Sequence, residues 1–315
     1  MTGLLLALGL WGGPGAAMAV GAAPGEILLN NFLGSNIQRY GTDGTLLQTY
    51  TGTGKAWQGV SLTPDGHMVT TYRINGPTNP GVNLFDPEGV QVASFGTSAI
   101  TNGLPGDVSV FADGTLAIND QDGNRVLFYS QTGDLIRAVG LSGVVHPFGS
   151  TVGSDHILYV AGLDSSNIGR VQPDGKVLSP IRLSFQPGDL VMSPLDGTLW
   201  VSDFYGDRVV HLDTAGTVLG SFSIDLTGVF AGIGLAPDGQ SLYVTTQAST
   251  VIRQFDLRGN LLGEFDIVDP RMPLFLAVVP VPEPSGLTLA GVGLGILAAG
   301  RWWRSRSARR RVAAR

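Results

Sequence analysis

The feature that most constrains the fold is a turn that recurs at a nearly constant interval along the chain. Each turn is an Asp-Gly pair, or once Asp-His, and a short strand-like run follows it. The turns lie at Asp65-Gly66, Asp113-Gly114, Asp155-His156, Asp196-Gly197 and Asp238-Gly239, with spacings of 48, 42, 41 and 42 residues. Pro24-Gly25 precedes the first by 41 residues and adds a sixth member. A period of this length is typical of a repeat architecture.

A second series of turns follows the first through the chain. It lies at Gly44, Gly89, Gly133, Gly175, Gly216 and Gly259. Short β-rich runs separated by glycine turns indicate hairpins, and four strands in a repeat of about 42 residues are typical of a propeller blade. Helical periodicity is essentially absent. The sequence therefore predicts an all-β, six-bladed β-propeller with four-stranded blades over residues 20–280.

The two ends of the repeat region are complementary. The first repeat lacks its innermost strand, and the segment 273–280 has no strands after it. That segment aligns with residues 230–237 of the preceding repeat. We therefore expect the last strand to complete the first blade, which removes an exposed sheet edge. A long parallel solenoid is the alternative, but it would not need this complementary truncation.

The N-terminus has the pattern of an export signal. Residues 1–19 carry no charged side chain, and a leucine-rich run leads to Ala17-Met18-Ala19. An apolar run followed by Ala-x-Ala predicts a signal peptide cleaved after Ala19. The alternative is a buried first strand.

The C-terminus, residues 281–315, has three successive parts. Pro282-Glu283-Pro284 precedes an uncharged stretch, 286–300, and an arginine-rich tail follows. The tail comprises Arg301, Arg304, Arg306, Arg309, Arg310, Arg311 and Arg315. Fifteen helical residues span about 22 Å of a roughly 30 Å hydrocarbon core, so the stretch can just cross a membrane if Arg301 snorkels. The arginines predict a cytoplasmic C-terminus and a body outside.

This ending resembles the PEP-CTERM sorting signal of exported bacterial proteins. The resemblance implies recognition by an exosortase, removal of the tail, and delivery to the cell surface or to its polysaccharide matrix. The C-terminal helix would then anchor the chain in the inner membrane only transiently. The alternative is a permanent C-terminal anchor, which predicts the same side of the membrane.

Charge and composition exclude several classes of function. Residues 20–300 carry 12 Lys and Arg against 25 Asp and Glu, and such an acidic body should repel nucleic acid. The chain has no Cys, which excludes disulfide frameworks, thiol nucleophiles and cysteine metal sites. No Gly-x-Ser-x-Gly, His-Glu-x-x-His or Gly-x-x-x-x-Gly-Lys motif occurs in the sequence. The sequence therefore does not predict a serine hydrolase, a zincin or a P-loop NTPase.

The sequences of the repeats resemble those of NHL-type and gluconolactonase-like propellers. The segment that resembles them most is 196–203, Asp-Gly-Thr-Leu-Trp-Val-Ser-Asp, with Gly216 at the second turn. The resemblance covers residues 27–280 and is specific for the fold, which hosts binding, hydrolase, lyase and scaffold roles alike. Gluconolactonase-like enzymes hold a divalent metal on their inner strands with Glu, Asn and Asp. No Asn stands at the inner-strand position that aligns here.

Two aspartates are the candidate site residues. Asp107 and Asp189 follow Pro-Gly at the equivalent place of alternate repeats, where the aligned column otherwise holds Gly59, Gly149 and Gly232. Since innermost strands line the central channel, we expect both carboxylates near one channel mouth. Paired carboxylates suit a divalent cation such as Ca²⁺, or general acid–base catalysis. The alternative is an aspartate that bonds its own backbone.

The sequence favours an exported, exosortase-sorted propeller that serves as a binding or structural module at the cell surface or in the extracellular matrix. Its expected partners are the exosortase and export machinery, and extracellular polysaccharide or surface proteins. The alternative is a metal-dependent lactonase or lyase acting at the channel mouth through Asp107 and Asp189.

Overall fold

A computed structural model describes residues 23–73 and 80–280. Four sequence-based predictions lie outside the described residues. They are the signal peptide 1–19, the motif Pro282-Glu283-Pro284, the membrane segment 286–300 and the arginine tail. Within the described ranges, no helix has the length and apolar character needed to cross a membrane.

The described chain forms six antiparallel sheets of four strands each. Blade 1 contains β1 (Ile27–Asn31), β2 (Asn36–Tyr40), β3 (Leu46–Tyr50) and the last strand, β24 (Pro273–Val278). Blade 2 contains β4 (Lys55–Leu62), β5 (Met68–Arg73), β6 (Gly81–Phe85) and β7 (Gln91–Gly96). Blade 3 contains β8 (Pro105–Val110), β9 (Leu116–Asp120), β10 (Arg125–Tyr129) and β11 (Leu135–Gly140), and a 3₁₀ turn (Thr101–Gly103) precedes it.

The remaining three blades follow the same order from the inner to the outer strand. Blade 4 contains β12 (Pro147–Val152), β13 (Leu158–Gly162), β14 (Asn167–Val171) and β15 (Val177–Arg182). Blade 5 contains β16 (Pro187–Met192), β17 (Leu199–Asp203), β18 (Arg208–Leu212) and β19 (Val218–Ser223). Blade 6 contains β20 (Phe230–Leu235), β21 (Ser241–Thr246), β22 (Val251–Asp256) and β23 (Leu261–Asp266). The predicted all-β six-bladed propeller of four-stranded blades is confirmed.

In blades 2 to 6 an Asp-Gly turn, or Asp-His in blade 4, joins the inner strand to the second strand of the blade. At Asp113, Oδ1 accepts a hydrogen bond of 2.9 Å from the N–H of Thr115. Gly114 has φ of 84°, a left-handed conformation that glycine adopts without steric cost. Short-range turn chemistry thus sets the start of each second strand, and it places all these turns at the end of the propeller where the inner strands finish.

The ring closes between the two ends of the repeat region. β24 pairs antiparallel with β1, with Ile27 opposite Val278 and Leu29 opposite Leu276. β24 also contacts the inner strands of blades 2 and 6, which completes the circle of inner strands. The predicted completion of the first blade by the last strand is therefore confirmed, and the solenoid alternative is wrong.

Hydrophobic cores lie between successive blades. One of them joins Tyr159 and Ile181 of blade 4 to Leu190, Val201 and Leu212 of blade 5. Because each blade buries its faces against two neighbours, the six inner strands are held around one axis. This packing positions the channel described next.

Candidate functional site

The central channel contains a cavity of about 340 Å³ that is lined by the inner strands of all six blades. Its walls are formed largely by aliphatic side chains such as Val108, Leu190 and Ile233. The lining extends to the residues where the inner strands end, including Val278 and the exposed Pro280. The cavity thus reaches the propeller face that carries the Asp-Gly turns.

Each inner strand has a β-bulge near its start, where its register against the second strand shifts. The residues at the bulge form one level of the channel, with one residue from each blade. In order from blade 2 round to blade 1, they are Gly59, Asp107, Gly149, Asp189, Gly232 and Phe275. Alternate blades therefore contribute a side chain, and the three blades between them contribute glycine. The two predicted aspartates belong to this level.

The glycines at this level are required by close contact between neighbouring inner strands. A Cβ atom on Gly149 would lie 2.6 Å from both the Cα and the Oδ1 of Asp189. A Cβ atom on Gly59 would lie 2.5 Å from the backbone nitrogen of Val108 and 2.8 Å from the Cα of Asp107. All four distances are too short for a real Cβ contact. Each aspartate is therefore seated against the glycine of the preceding blade.

Both carboxylates bond the backbone of the next blade. Oδ2 of Asp107 accepts the N–H of Ser150 at 3.2 Å, and Oδ2 of Asp189 accepts the N–H of Ile233 at 3.1 Å. Oδ1 of Asp189 also accepts the N–H of the adjacent Leu190 at 2.8 Å. Asp189 therefore bonds its own backbone as well as its neighbour's. Oδ1 of Asp107 has no hydrogen-bond partner among the described residues.

Burial raises the pKa of both aspartates. Asp107 is 5% exposed and Asp189 is 4% exposed. Loss of water around Asp107 raises its pKa to about 7, against the opposing effect of the N–H groups of Val108, Ser150 and Val60. Burial, followed by the charge of Asp107, raises the pKa of Asp189 well above its ordinary value. The two carboxyl groups therefore form an interacting pair.

Hydroxyl groups that the sequence analysis did not identify lie beside the pair. The Oγ atoms of Ser109 and Ser150 are 2.9 Å apart, and Oγ of Ser150 lies 3.5 Å from Oδ2 of Asp107. Ser61 and Thr151 also line the cavity. Extending the repeat alignment one and two positions past the column of the aspartates would have found these serines and the threonine. Placing residue 275 in the column of the aspartates would have found Phe275.

Aromatic side chains cluster at the end of the propeller where the inner strands begin. The ring centroids of Phe148 and Phe275 are 4.8 Å apart, and those of Phe148 and Phe204 are 5.5 Å apart. All three rings are buried. We predicted the aspartates near a channel mouth, whereas they lie at the deep end of the cavity, next to this aromatic group. The bulge lies near the start of each inner strand, which accounts for the difference.

The donor set at the pair is small for a metal ion. Ca²⁺ takes six to eight oxygen ligands and Mg²⁺ requires a near-ideal octahedron. Among the described residues, no group of three or more His, Cys, Asp or Glu side chains is arranged to hold a metal ion. The two carboxylates are already partly used by backbone N–H groups. These residues do not fit a resident divalent cation without several further ligands.

Comparisons with known proteins identify the fold. No family model matches the chain, and no curated protein matches it. A chain of a nidogen/laminin complex is similar with a TM-score of 0.66 and 15% identity, covering 82% of this chain and 99% of that chain. A Bacteroides caccae protein of unknown function gives 0.63 and 14%, with coverages of 82% and 99%.

A third similar structure is a catalytically inactive His-to-Ala variant of virginiamycin B lyase from Staphylococcus aureus, with quinupristin. Its TM-score is 0.58 at 18% identity, covering 75% of this chain and 79% of that chain. At these identities the likeness establishes the fold alone. The chain is therefore similar in architecture to these three proteins.

Proposed function

We propose that this chain is an exported propeller that acts as a binding or structural module at the cell surface or in the extracellular matrix. The observation that favours a structural use of the channel is the bonding of its carboxylates. Both accept backbone N–H groups of the next blade, so they stabilise the ring itself. A similar propeller occurs in a nidogen/laminin complex, which supports a role in binding surface proteins.

The proposed export and sorting depend on the terminal signals. Ala17-Met18-Ala19 would be cleaved during export, and an exosortase would recognise Pro282-Glu283-Pro284 and remove the arginine tail. Polysaccharide or other surface proteins would then be the partners of the released body. Its acidic character would keep it soluble and away from nucleic acid.

The sorting proposal is tested by cell fractionation in a bacterium that contains an exosortase. The full chain should reach the cell surface. A chain lacking residues 281–315, and a variant with Pro282→Ala, Glu283→Ala and Pro284→Ala, should stay in the periplasm or the inner membrane. Ser285→Ala serves as the matched control and should sort normally. Unchanged surface delivery without residues 281–315 would rule out the sorting signal.

A lactonase or lyase acting in the channel is the second candidate. The observation that favours it is the cavity itself, which contains two coupled carboxyl groups, one with a pKa of about 7. A pKa near the working pH suits a general acid or base. The similar lyase variant is inactivated by replacing a histidine, whereas no histidine is among the residues that line this cavity. If an activity on a lactone or a cyclic peptide ester is found, Asp107→Asn with Asp189→Asn should abolish it and leave folding intact.

A further inference from the structure

The channel has a second level of equivalent residues, two positions beyond the bulge of each inner strand and therefore nearer the mouth. The register of the inner strands against the second strands places these six residues at equivalent positions. In order from blade 2 round to blade 1, they are Ser61, Ser109, Thr151, Val191, Gly234 and Ala277. Blades 2 to 4 thus form a hydroxyl half of this level, and blades 5, 6 and 1 form an apolar half.

Two of the three hydroxyls in the hydroxyl half are available to a ligand. Oγ of Ser109 is already bonded to Oγ of Ser150, at 2.9 Å. Oγ of Ser61 and Oγ1 of Thr151 form no hydrogen bond with the described residues, and both residues line the cavity and are partly exposed. A hydroxyl can donate one hydrogen bond and accept others. Ser61 and Thr151 can therefore bond a ligand's hydroxyl or carbonyl group.

The apolar half continues above and below this level. Val191 and Ala277 are partly exposed and line the cavity beside Gly234. The same three blades contribute Leu190, Ile233 and Leu276 one level deeper, and blades 6 and 1 contribute Leu235 and Val278 nearer the mouth. The hydroxyls are therefore a single polar band on one side of a largely aliphatic cavity.

The wall offers no reachable charge. Asp107 and Asp189 are the ionisable residues among those that line the cavity, and no basic residue is among them. Oδ1 of Asp107 is sealed by protein, and the Oδ2 atoms of both aspartates accept backbone N–H groups. A charged ligand would lose its water in the cavity without meeting an opposite charge, which is costly. The chemistry of the wall therefore selects a neutral ligand.

We propose that the channel binds one small neutral alcohol, a compact hydrocarbon body with a hydroxyl on one edge. The hydroxyl would bond Ser61 or Thr151, and the hydrocarbon would lie against Val191 and Ala277. A polyol with hydroxyls on every edge fits poorly, because the hydroxyls that face Val191 would lose water without gaining a partner. This site is independent of the export and sorting proposed above.

The size and opening of the cavity fit such a ligand. A buried apolar cavity of about 150 Å³ can hold benzene, so about 340 Å³ accommodates a substituted cyclohexane ring. The lining extends to Val278, which is partly exposed, and to Pro280, which is exposed. A ligand can therefore enter from the face that carries the Asp-Gly turns without separating the blades.

The test is a thermal-unfolding titration of the full chain with cyclohexanol. Binding to the folded state should raise the Tm in a saturable way, by roughly 3–6 °C at about ten times the Kd. Two compounds with the same ring serve as controls. Inositol carries a hydroxyl on every ring carbon, and cyclohexylammonium carries a charge. Each should bind about tenfold or more weakly than cyclohexanol, because the wall leaves the additional polar groups without partners.

Variants locate the hydroxyl contact. Ser61→Ala with Thr151→Val removes both available hydroxyls with little change of volume, and it should raise the Kd for cyclohexanol about three- to tenfold. Thr49→Val with Ser221→Ala is the matched control, because both residues are exposed on outer strands, and it should leave the Kd unchanged.

A second variant tests the apolar half if the first one fails to fold. Val191→Thr keeps the shape of a partly exposed side chain and adds a hydroxyl to the apolar half. That hydroxyl would lose its water when the hydrocarbon binds, so the Kd for cyclohexanol should rise about threefold or more.

Three outcomes would overturn the proposal. A Tm that stays constant or falls steadily with cyclohexanol would mean that the channel holds water only. Equal or tighter binding of inositol or cyclohexylammonium would show that the apolar half does not select the ligand. An unchanged Kd in the Ser61→Ala, Thr151→Val variant would place the bound alcohol elsewhere. None of these outcomes bears on surface sorting, so the two proposals fail separately.

Discussion

The carboxylate of Asp189 joins two blades of the ring, because its Oδ2 accepts the backbone N–H of Ile233 in the next inner strand at 3.1 Å. Asp107 makes the same bond to Ser150, at 3.2 Å. Backbone N–H groups of the inner strands need an acceptor, and together with the bond from Leu190 to Asp189 these two side chains satisfy three of them. Each aspartate thus links its own blade to the next one. The two aspartates occupy equivalent positions in their sequence repeats, so they have the same structural role.

Protonation of the buried pair should make the folded state more stable at mildly acidic pH. Burial raises the pKa of Asp107 from 3.8 to about 7 in the folded state, so its contribution to stability is complete below about pH 3.8 and is lost as the pH rises to about 7. The raised pKa of Asp189 acts in the same direction. Between pH 5 and pH 7 the free energy of unfolding should fall, by on the order of 2 kcal/mol.

The measurement is urea unfolding at several pH values, compared with the Asp107→Asn, Asp189→Asn double variant. The double variant should lack this decline. Burial lowers the pKa of His211, which gives a pH dependence of opposite sign in the free energy of unfolding. The difference between parent and variant removes that contribution. If the free energy of unfolding changed with pH in the same way in the parent and in the double variant, the raised pKa values would be contradicted.

Gly149→Ala should be strongly destabilising. The added Cβ would lie 2.6 Å from the Cα of Asp189, and backbone atoms at this level cannot move without shifting a neighbouring blade. We expect a loss of about 3 kcal/mol or more in the free energy of unfolding. Gly263→Ala is the matched control, because no atom lies within 4 Å of its added Cβ, and its effect should stay within about 0.5 kcal/mol. Chemical denaturation of both variants distinguishes them.

Leu276→Ala should weaken the closure of the ring. Leu276 lies on β24 opposite Leu29 of β1 and is 5% exposed. Removing it should cost about 2–4 kcal/mol, through lost burial and the cavity left behind. Leu262→Ala, on an outer strand at 56% exposure, should cost about 0.5 kcal/mol or less. Similar losses for the two variants would mean that the closing strand adds little to stability.

Asp120→Ala should destabilise the chain more than Asp203→Ala. Asp120 is fully buried and bonds Nε of Arg125 at 2.7 Å and both the N–H and the hydroxyl of Thr101 at 3.0 Å. Thr101 belongs to the segment that joins two blades, so this aspartate holds that connection. Asp203 bonds Gly206 and Arg208 of its own hairpin, and its Arg208 partner is 45% exposed.

The expected losses are about 3 kcal/mol for Asp120→Ala and about 1 kcal/mol for Asp203→Ala, because the first leaves several half-buried donors without their acceptor and opens a space at a fully buried position. Thermal and urea unfolding of the two variants under the same conditions provide the comparison. A larger loss of stability for Asp203→Ala than for Asp120→Ala would show that the burial of these two ion pairs does not determine the size of the loss.

The sequence by itself determined the architecture. Turn chemistry is local, so Asp113-Gly114 and its five counterparts marked the period, and the period predicted the number of blades. The complementary truncation at Ile27 and Pro273 predicted the closing strand, since a sheet edge must be paired. Asp107 and Asp189 were also identified, because they interrupt a column of glycines.

Only the tertiary structure decided what these aspartates do. The bulges that align Phe275 with them, the contact of Gly149 with Asp189, and the bonds to Ser150 and Ile233 all join residues from different blades. Distances between blades depend on how the cores pack, which a repeat pattern does not specify. Burial depth and the interaction of two carboxyl groups depend on the same packing, so their pKa values also arise only in the closed ring.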